Sequence, residues 1–481
     1  MKLSELISLE WSRLRRDWIF WACTGFCSVL LAYGLKNGFD WMHFQQQSIQ
    51  RAGQIEQEKR EEARKKSAAL DREQNDGEID FWSDPRTAIG FEGAYLRLHD
   101  CLAPTPLAMV GIGQSDLLPY CVRITTGPWP IFLASYEWEN PLRLLLGRVD
   151  CAFVLIYLMP LAILALSFNL FSRERELGTL SLLFANPLSP REWLSISFLL
   201  RAGLFLGIIL IVLVLGLFAG GFDLSGTVAL PRLIFWLGLI GSYGGFWFAL
   251  AWLFNARGRD SAANALGLAT IWLIFVIVLP GCLNLLVKQL YPLPSRVAFI
   301  NALRETTVQS ERQGSSLLQK YLYDHPELTR DHGKSEGDDF FSTLIAVNAE
   351  TERVLAPDLR RFRSQSLAQN ALIDQLAWLS PAIVFQQTAN RLSGNDGARH
   401  RRFEEAVAAH RQKVKAFFDP KFVSEARFTE YDQVPRFDYQ EFDFDSIARR
   451  SLFGILVLIF PTVLFALLGW HWLGRPIFEP R

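Results

Sequence analysis

The chain is poor in the groups that carry chemistry. Its 481 residues hold only seven histidines and six cysteines. His43, His99, His325, His332, His400, His410 and His471 are scattered, and no nucleophile–base–acid set assembles around them. There is no Cys-x-x-Cys pair and no His/Cys ligand spacing, which excludes a zinc module. There is also no Walker run, so this sequence contains no phosphate loop of an ATPase. Gly111-Ile-Gly-Gln-Ser-Asp116 comes nearest, but it lacks the Gly-Lys-Ser/Thr ending and reads as a tight turn packed on a domain. Forty-nine basic residues balance 49 acidic ones, which removes the electrostatic ground for nucleic-acid binding. The long apolar runs lack charge too. No paired carboxylates lie within them to drive transport by protons, and Asn169, Asn264 and Asn284 are their main polar residues.

What is present is apolar and aromatic. Half the residues are hydrophobic, with 15 Trp and 37 Phe, and charge is crowded into a few stretches. This is the pattern of a polytopic membrane protein with sizeable soluble parts. Six runs approach the ~20 residues that span hydrocarbon: 18–35, 151–171, 202–222, 233–254, 261–287 and 452–473. Before them, residues 1–17 place Leu3, Leu6, Ile7, Trp11 and Leu14 on one face beside Arg13, Arg15 and Arg16, as in an interfacial amphipathic helix. The positive-inside rule then orients the chain. Arg13, Arg15 and Arg16, then Arg173, Arg175 and Arg191, then Arg257 and Arg259, then Arg475 and Arg481 all fall on one side of six spans. Both termini are expected in the cytosol.

One stretch organises the rest. Phe171-Ser-Arg-Glu-Arg-Glu-Leu-Gly-Thr-Leu180 is charged at its head and apolar at Leu177, Leu180, Leu183 and Phe184, and Asn186-Pro187 stops it. The run of Arg173, Glu174, Arg175, Glu176, Leu177, Gly178, Thr179 and Leu180, with Pro187-Leu188-Ser189, resembles the coupling-helix segment of ABC-2 type transporter permeases. The resemblance implies an all-α polytopic membrane protein with an N-terminal elbow helix (1–17), a first span (18–35) and a second (151–171). A cytosolic coupling helix (172–192), spans three to five (193–287), a sixth span (452–473) and a cytosolic tail (474–481) follow. It implies a cytosolic ABC ATPase partner that binds ATP and Mg, a second permease protomer (identical or related), a bacterial plasma (inner) membrane location, and export as the usual direction. The chain itself would then be no enzyme, and its only other contact would be membrane lipid.

Two long insertions, 36–150 and 288–451, emerge on the side opposite the basic clusters, and one composite, mostly helical extracytoplasmic domain is the economical reading. Gln45 to about Arg72 is rich in helix formers and is expected to continue the first span into solvent. Helices are expected near 295–323, 341–377 and 396–418, with an extended piece over 434–444. The polar stretch 324–339, with His325 and His332, fits no metal motif and reads as a solvated loop. Gly-Gln-Ser-Asp116, Asn140-Pro141, Gly147-Arg148-x-Asp150, Pro160-Leu161, Ser380-Pro381 and Arg399-His400-Arg401-Arg402-Phe403 resemble a branch of the same permeases with large outer insertions.

Arg148 and Asp150, at the mouth of the second span, are candidates for an outer gate or for an interfacial anchor pair. Pro160, Pro280 and Pro461 are expected to interrupt the second, fifth and sixth spans. Gly203, Gly207, Gly216, Gly220, Gly221, Gly238, Gly241, Gly244 and Gly245 mark faces for close helix packing. Cys23, Cys27, Cys151 and Cys282 read as small buried hydrophobes. Cys101 and Cys121 lie in a soluble stretch. Outside the cytosol they can pair, with a bridge contributing ~3 kcal/mol, and the sequence leaves the pairing open.

Overall fold

A computed structural model describes residues 3–73, 80–113, 115–127, 149–180, 189–224, 226–324, 336–423 and 427–474. The chain is mostly helical, and six helices are long and apolar enough to cross a membrane. An amphipathic helix α1 (Leu3–Arg16) leads into α2 (Trp18–Glu73). The second span, α3, comprises Cys151–Phe153, a π-helical turn Val154–Leu158 and Met159–Ser167. A short helix α4 (Ser172–Glu176) follows. Then come α5 (Pro190–Ala219), α6 (Ala229–Ala256) and α7 (Ser261–Leu290). The second insertion contributes α8 (Arg296–Arg312), α9 (Gly314–Asp324), α10 (Glu336–Leu376), α11 (Pro381–Ser393) and α12 (Gly397–Val423). The last span is α13 (Phe444–Trp472).

Helices α3 and α6 form the buried centre of the bundle, and α2, α5, α7 and α13 surround them. The outer helices turn large apolar residues outward, among them Leu199, Leu266, Phe453 and Phe460. A belt of this kind suits hydrocarbon and would be a liability in water. Three of the basic clusters converge on one end of the bundle. Arg13 reaches Glu174, Arg175 reaches the Gly258 carbonyl, Arg191 lies against Trp470 and Arg257 lies over Trp472.

The opposite end carries a second core built from both insertions. Ala63 of α2, Phe91, Leu98, Val122 and Ile124 from the first insertion pack with Phe403, Val407, Val414, Phe418 and Phe428 from the second. The fold is therefore not purely helical: β1 (His99–Cys101) pairs antiparallel with β2 (Cys121–Arg123). The register sets Cys101 opposite Cys121, and the two form a disulfide. Strands of three residues leave no legible alternation in the sequence, so only the cysteines hinted at them.

Within this unit, α10 meets α12 through Glu352, which holds Arg411 at 2.6 Å and Lys415 at 3.4 Å. Asp419 shares the cluster. Burial pushes its carboxyl up to about 6, against the opposing pull of Lys415 and Arg411 and with the help of Glu352. The folded state thus holds that proton more tightly than the unfolded chain, so stability falls as pH climbs from about 4 through 6. Asp419→Asn is expected to raise stability at pH 7.5 by about 1–2 kcal/mol and to change little at pH 4.5. Thermal unfolding in detergent at the two pH values checks this; equal shifts at both would contradict it.

Pro160 and Pro280 do interrupt their spans, and in the same way. Each follows a π-helical turn, Val154–Leu158 and Ile274–Val278, whose last bond runs from Met159 N–H to the Val154 carbonyl or from Leu279 N–H to the Ile274 carbonyl. Proline has no N–H, so a carbonyl in each turn loses its partner. Side-chain hydroxyls supply the replacements. Tyr243 OH donates to the Ile156 carbonyl at 3.0 Å, and Ser380 Oγ donates to the Phe275 carbonyl at 2.6 Å. Pro461, by contrast, lies inside an unbroken α13.

Ser380 belongs to α11, which is capped at both ends: Ser380 Oγ accepts from Ile383 N–H, Pro381 fills the first turn, and Gly394 closes it at φ 69°. This helix packs on α6, α13 and both π-helical turns. Its Phe385 is fully buried, 4.7 Å from Tyr243 and 6.2 Å from Trp236 between ring centroids. A capped soluble helix thus closes the end of the bundle that faces the insertions.

The glycine faces are used only in part. A side chain at Gly216 would strike Leu35, and one at Gly244 would strike Leu206, but Gly203, Gly207 and Gly241 have open space beside them. Other close approaches fall outside these faces, at Gly38 against the Met109 backbone and Gly454 against Thr388. Cys27 and Cys151 are buried as expected, whereas Cys282 is exposed on α7.

Candidate coupling site at the end of the bundle

Three segments meet where the basic clusters converge: α1, α4 and the turn between α6 and α7. Helix α1 buries Leu6, Glu10 and Leu14 and exposes Ile7, Leu9 and Trp11. Its buried carboxylate is used: Glu10 Oε1 accepts from Trp193 Nε1 of α5 at 2.9 Å. Asp17, between α1 and α2, accepts from Phe20 N–H at 3.3 Å and pairs with Arg201 of α5 at 3.1 Å. That arginine also donates to the Leu166 carbonyl of α3 at 3.3 Å. The amphipathic helix is therefore fastened to spans one, two and three by specific polar contacts.

Helix α4 forms after a break in α3. Asn255, fully buried in α6, spans the break: its Oδ1 accepts from Phe171 N–H at 3.0 Å and its Nδ2 donates to the Ser167 carbonyl at 2.8 Å. Asn264 of α7 donates to the Phe168 carbonyl at 3.3 Å. These amides satisfy backbone groups that the interrupted helix leaves open. The sequence reading singled out Asn264 but missed Asn255. The available signal was a lone amide at the polar end of an apolar run.

Glu174, Arg175 and Glu176 of α4 bond within the chain, although Arg175 and Glu176 are exposed. Glu174 accepts from Arg13 of α1 at 3.4 Å and from Thr179 Oγ1 at 2.6 Å. Glu176 accepts from Ser261 N–H at 2.6 Å and from Ser261 Oγ at 2.9 Å. It thereby caps α7, whose own Asp260 makes no side-chain cap bond. Ser172 and Ser261 share a hydroxyl contact at 2.8 Å, and Arg175 donates to the Gly258 carbonyl. Gly178 ends α4 at φ 71°, a left-handed conformation that only glycine adopts without strain, and Leu180 is buried just beyond. Arg173, Arg175 and Glu176 are exposed, as is Leu177 at 64%. Pro187 lies outside the described residues.

Of Arg148 and Asp150 at the mouth of the second span, only Asp150 is among the described residues; Arg148 lies outside them. Asp150 is buried and serves as a helix cap: Oδ1 accepts from Phe153 N–H at 2.7 Å, and Oδ2 accepts from Ile112 N–H at 2.8 Å. Burial holds its carboxyl above the usual range, and these backbone bonds pull the other way. Asp150 thus fastens the Gly111–Gly113 turn onto the top of α3. No group of three or more His, Cys, Asp and Glu side chains suited to a metal is found among the described residues.

A side chain that moved α4 would act on α1 through Glu174 and on α7 through Glu176, while Asn255 carries the link to α6. The arrangement ties α4 to three neighbouring elements. No curated protein and no solved structure matches the chain. A family model described as a domain of unknown function (DUF3526) matches residues 296–440, which run from α8 through α12 and stop short of α13.

Proposed function

We propose that this chain is the transmembrane permease subunit of an ATP-binding-cassette exporter, energised by a separate cytosolic ATPase that binds ATP and Mg. The observation that carries the reading is the double attachment of α4, Glu174 to the amphipathic helix and Glu176 to the start of α7. A partner seated on Leu177 and Arg173 would move several spans at once. Gathering of three basic clusters at this end supports its placement in the cytosol, with both termini there, α1 as an elbow helix and the composite unit outside. Two such protomers, identical or related, would pair with two ATPases in a bacterial plasma membrane.

The test is co-purification in mild detergent of wild type beside Glu174→Ala/Glu176→Ala and beside Leu177→Asp. Leu177→Asp is expected to lose the ATPase subunit. The double variant is expected to keep it bound but to lose at least tenfold of the coupled hydrolysis, because its carboxylates bond within the chain. Wild type that retains no ATPase under any condition would overturn the reading.

A second reading has the same ATPase coupling but no substrate passing through the spans. It is favoured by the unbroken run of α2 from the bundle into the composite unit. Such a helix would carry motion to a partner outside the membrane. Flux of a substrate into sealed vesicles that depends on this subunit would exclude it.

A further inference from the structure

At the end of the bundle opposite the coupling site, a cavity of about 140 Å³ opens where α6, α11, α12 and α13 meet. Its size is roughly ten times the ~15 Å³ that one buried water requires. Its charged lining is four arginines, Arg232, Arg391, Arg399 and Arg450, against two carboxylates, Asp396 and Glu441. Four positive charges less two negative leaves an excess of two.

The partners of these groups are unequally shared. Arg399 bonds Glu441 directly, while Arg232 feels that carboxylate only as a nearby charge: Arg399 Nε donates to both carboxylate oxygens, at 2.9 and 3.0 Å, and its other nitrogens donate to the Gly394 and Ala103 carbonyls. Asp396 draws chiefly on Arg391. Among the described residues, Arg232 and Arg450 make no salt bridge. Arg232 is 6% exposed, and its Nε has no hydrogen-bond partner. A buried guanidinium with an idle donor is costly unless an acceptor arrives. Guanidinium groups match tetrahedral oxyanions in geometry as well as in charge.

The level of the cavity narrows the choice of anion. Arg232 stands in the first turn of a spanning helix, and Arg450 stands two residues before the apolar stretch of another. Exposed apolar side chains begin just past them, Ile234 on α6 and Phe453 and Leu456 on α13. A phosphate held between the arginines would leave attached acyl chains free to run along these residues.

We infer that the cavity between Arg232 and Arg450 binds a phosphate-type oxyanion, supplied by the head group of a membrane phospholipid. The site is independent of the ATPase, so its test needs none. Wild type, Arg232→Gln and Arg450→Gln are purified in detergent and compared by native mass spectrometry for retained phospholipid. Delipidated wild type is then titrated with inorganic phosphate while its melting temperature is followed. Wild type is expected to retain phospholipid, and each variant to retain at least tenfold less. Because Arg450 is exposed, Arg450→Gln cannot fail merely by misfolding. A melting shift with inorganic phosphate and no retained lipid would overturn the lipid source and assign the site to a soluble anion. Neither retention nor a shift would overturn the site.

Discussion

Asp100→Ala is expected to destabilise the composite unit by about 3–5 kcal/mol, the range for breaking a buried charge pair from one side. Asp100 is fully buried on β1, and His410 of α12 is 4% exposed. His410 Nδ1 lies 2.8 Å from both carboxylate oxygens, and Nε2 lies 3.0 Å from the Pro435 carbonyl. A carbonyl only accepts, so Nε2 carries a proton, and a second proton is shared between Nδ1 and the carboxylate. The pair is neutral as a unit. Burial alone would lower the His410 pKa and Lys413 works the same way, but the Asp100 bond, its charge and the Pro435 carbonyl together hold it above the ordinary 6.5. Burial raises the Asp100 carboxyl above its usual range, and the His410 bond, the His410 charge and His99 pull the other way. A raised folded-state value means that the pair's contribution is complete below about pH 6.5 and is lost as pH rises through that higher value. Wild type should therefore lose stability on the alkaline side, and Asp100→Ala should show a flatter profile. Thermal unfolding in detergent from pH 6 to pH 9 measures both, and a variant within 1 kcal/mol of wild type at pH 6 would contradict the assignment.

Phe385→Ala is expected to cost about 3–5 kcal/mol through the lost transfer energy and the cavity left behind. The ring is the centre of α11, held between Tyr243 and Trp236 where that helix closes the bundle. Tyr243 cannot follow an empty space freely, because its hydroxyl is committed to the Ile156 carbonyl. Relaxation is thereby limited, and the cost stays near the upper part of the range. Gln386→Ala, at an exposed position of the same helix, is expected to stay within about 0.5 kcal/mol of wild type. Equal melting temperatures for the two variants would show that α11 is not anchored by this ring.

The spans were legible because hydrocarbon demands some 20 apolar residues and the chain supplies them six times. Their limits were less so. α5 begins at Pro190, well before the uninterrupted apolar run, since Ser189 and Glu192 form a capping box around Pro190. α11 left a signal of the same kind, Ser380-Pro381 at its start and Gly394 at its end, but nothing local announced that it would be buried against four spans. Its position depends on partners far away in sequence. The connector was recognisable by its residues, whereas the direction of its charges was not. Glu174 and Glu176 read as unattached groups until Arg13 and Ser261 are placed beside them. The glycine faces held only in part for a related reason: Gly216 and Gly244 pack closely, but a small residue permits close approach without requiring it, as the open space at Gly203 and Gly241 shows.

Helix α2 is continuous for 56 residues, and at 1.5 Å per residue that makes a rod about 84 Å long. Its apolar run, residues 18–35, accounts for about 27 Å, near the ~30 Å thickness of a hydrocarbon core, and the rest of the helix continues beyond that run. At its base it is pinned through Asp17 to Arg201; near its far end Asp71 pairs with Arg427. A rod of these proportions multiplies angle into distance. Tilting the base by about 5° would sweep the tip through about 7 Å, more than the pitch of one helical turn. Sub-ångström adjustments among Glu10, Arg13 and Asp17 would then be felt as displacements of whole side chains at the far end.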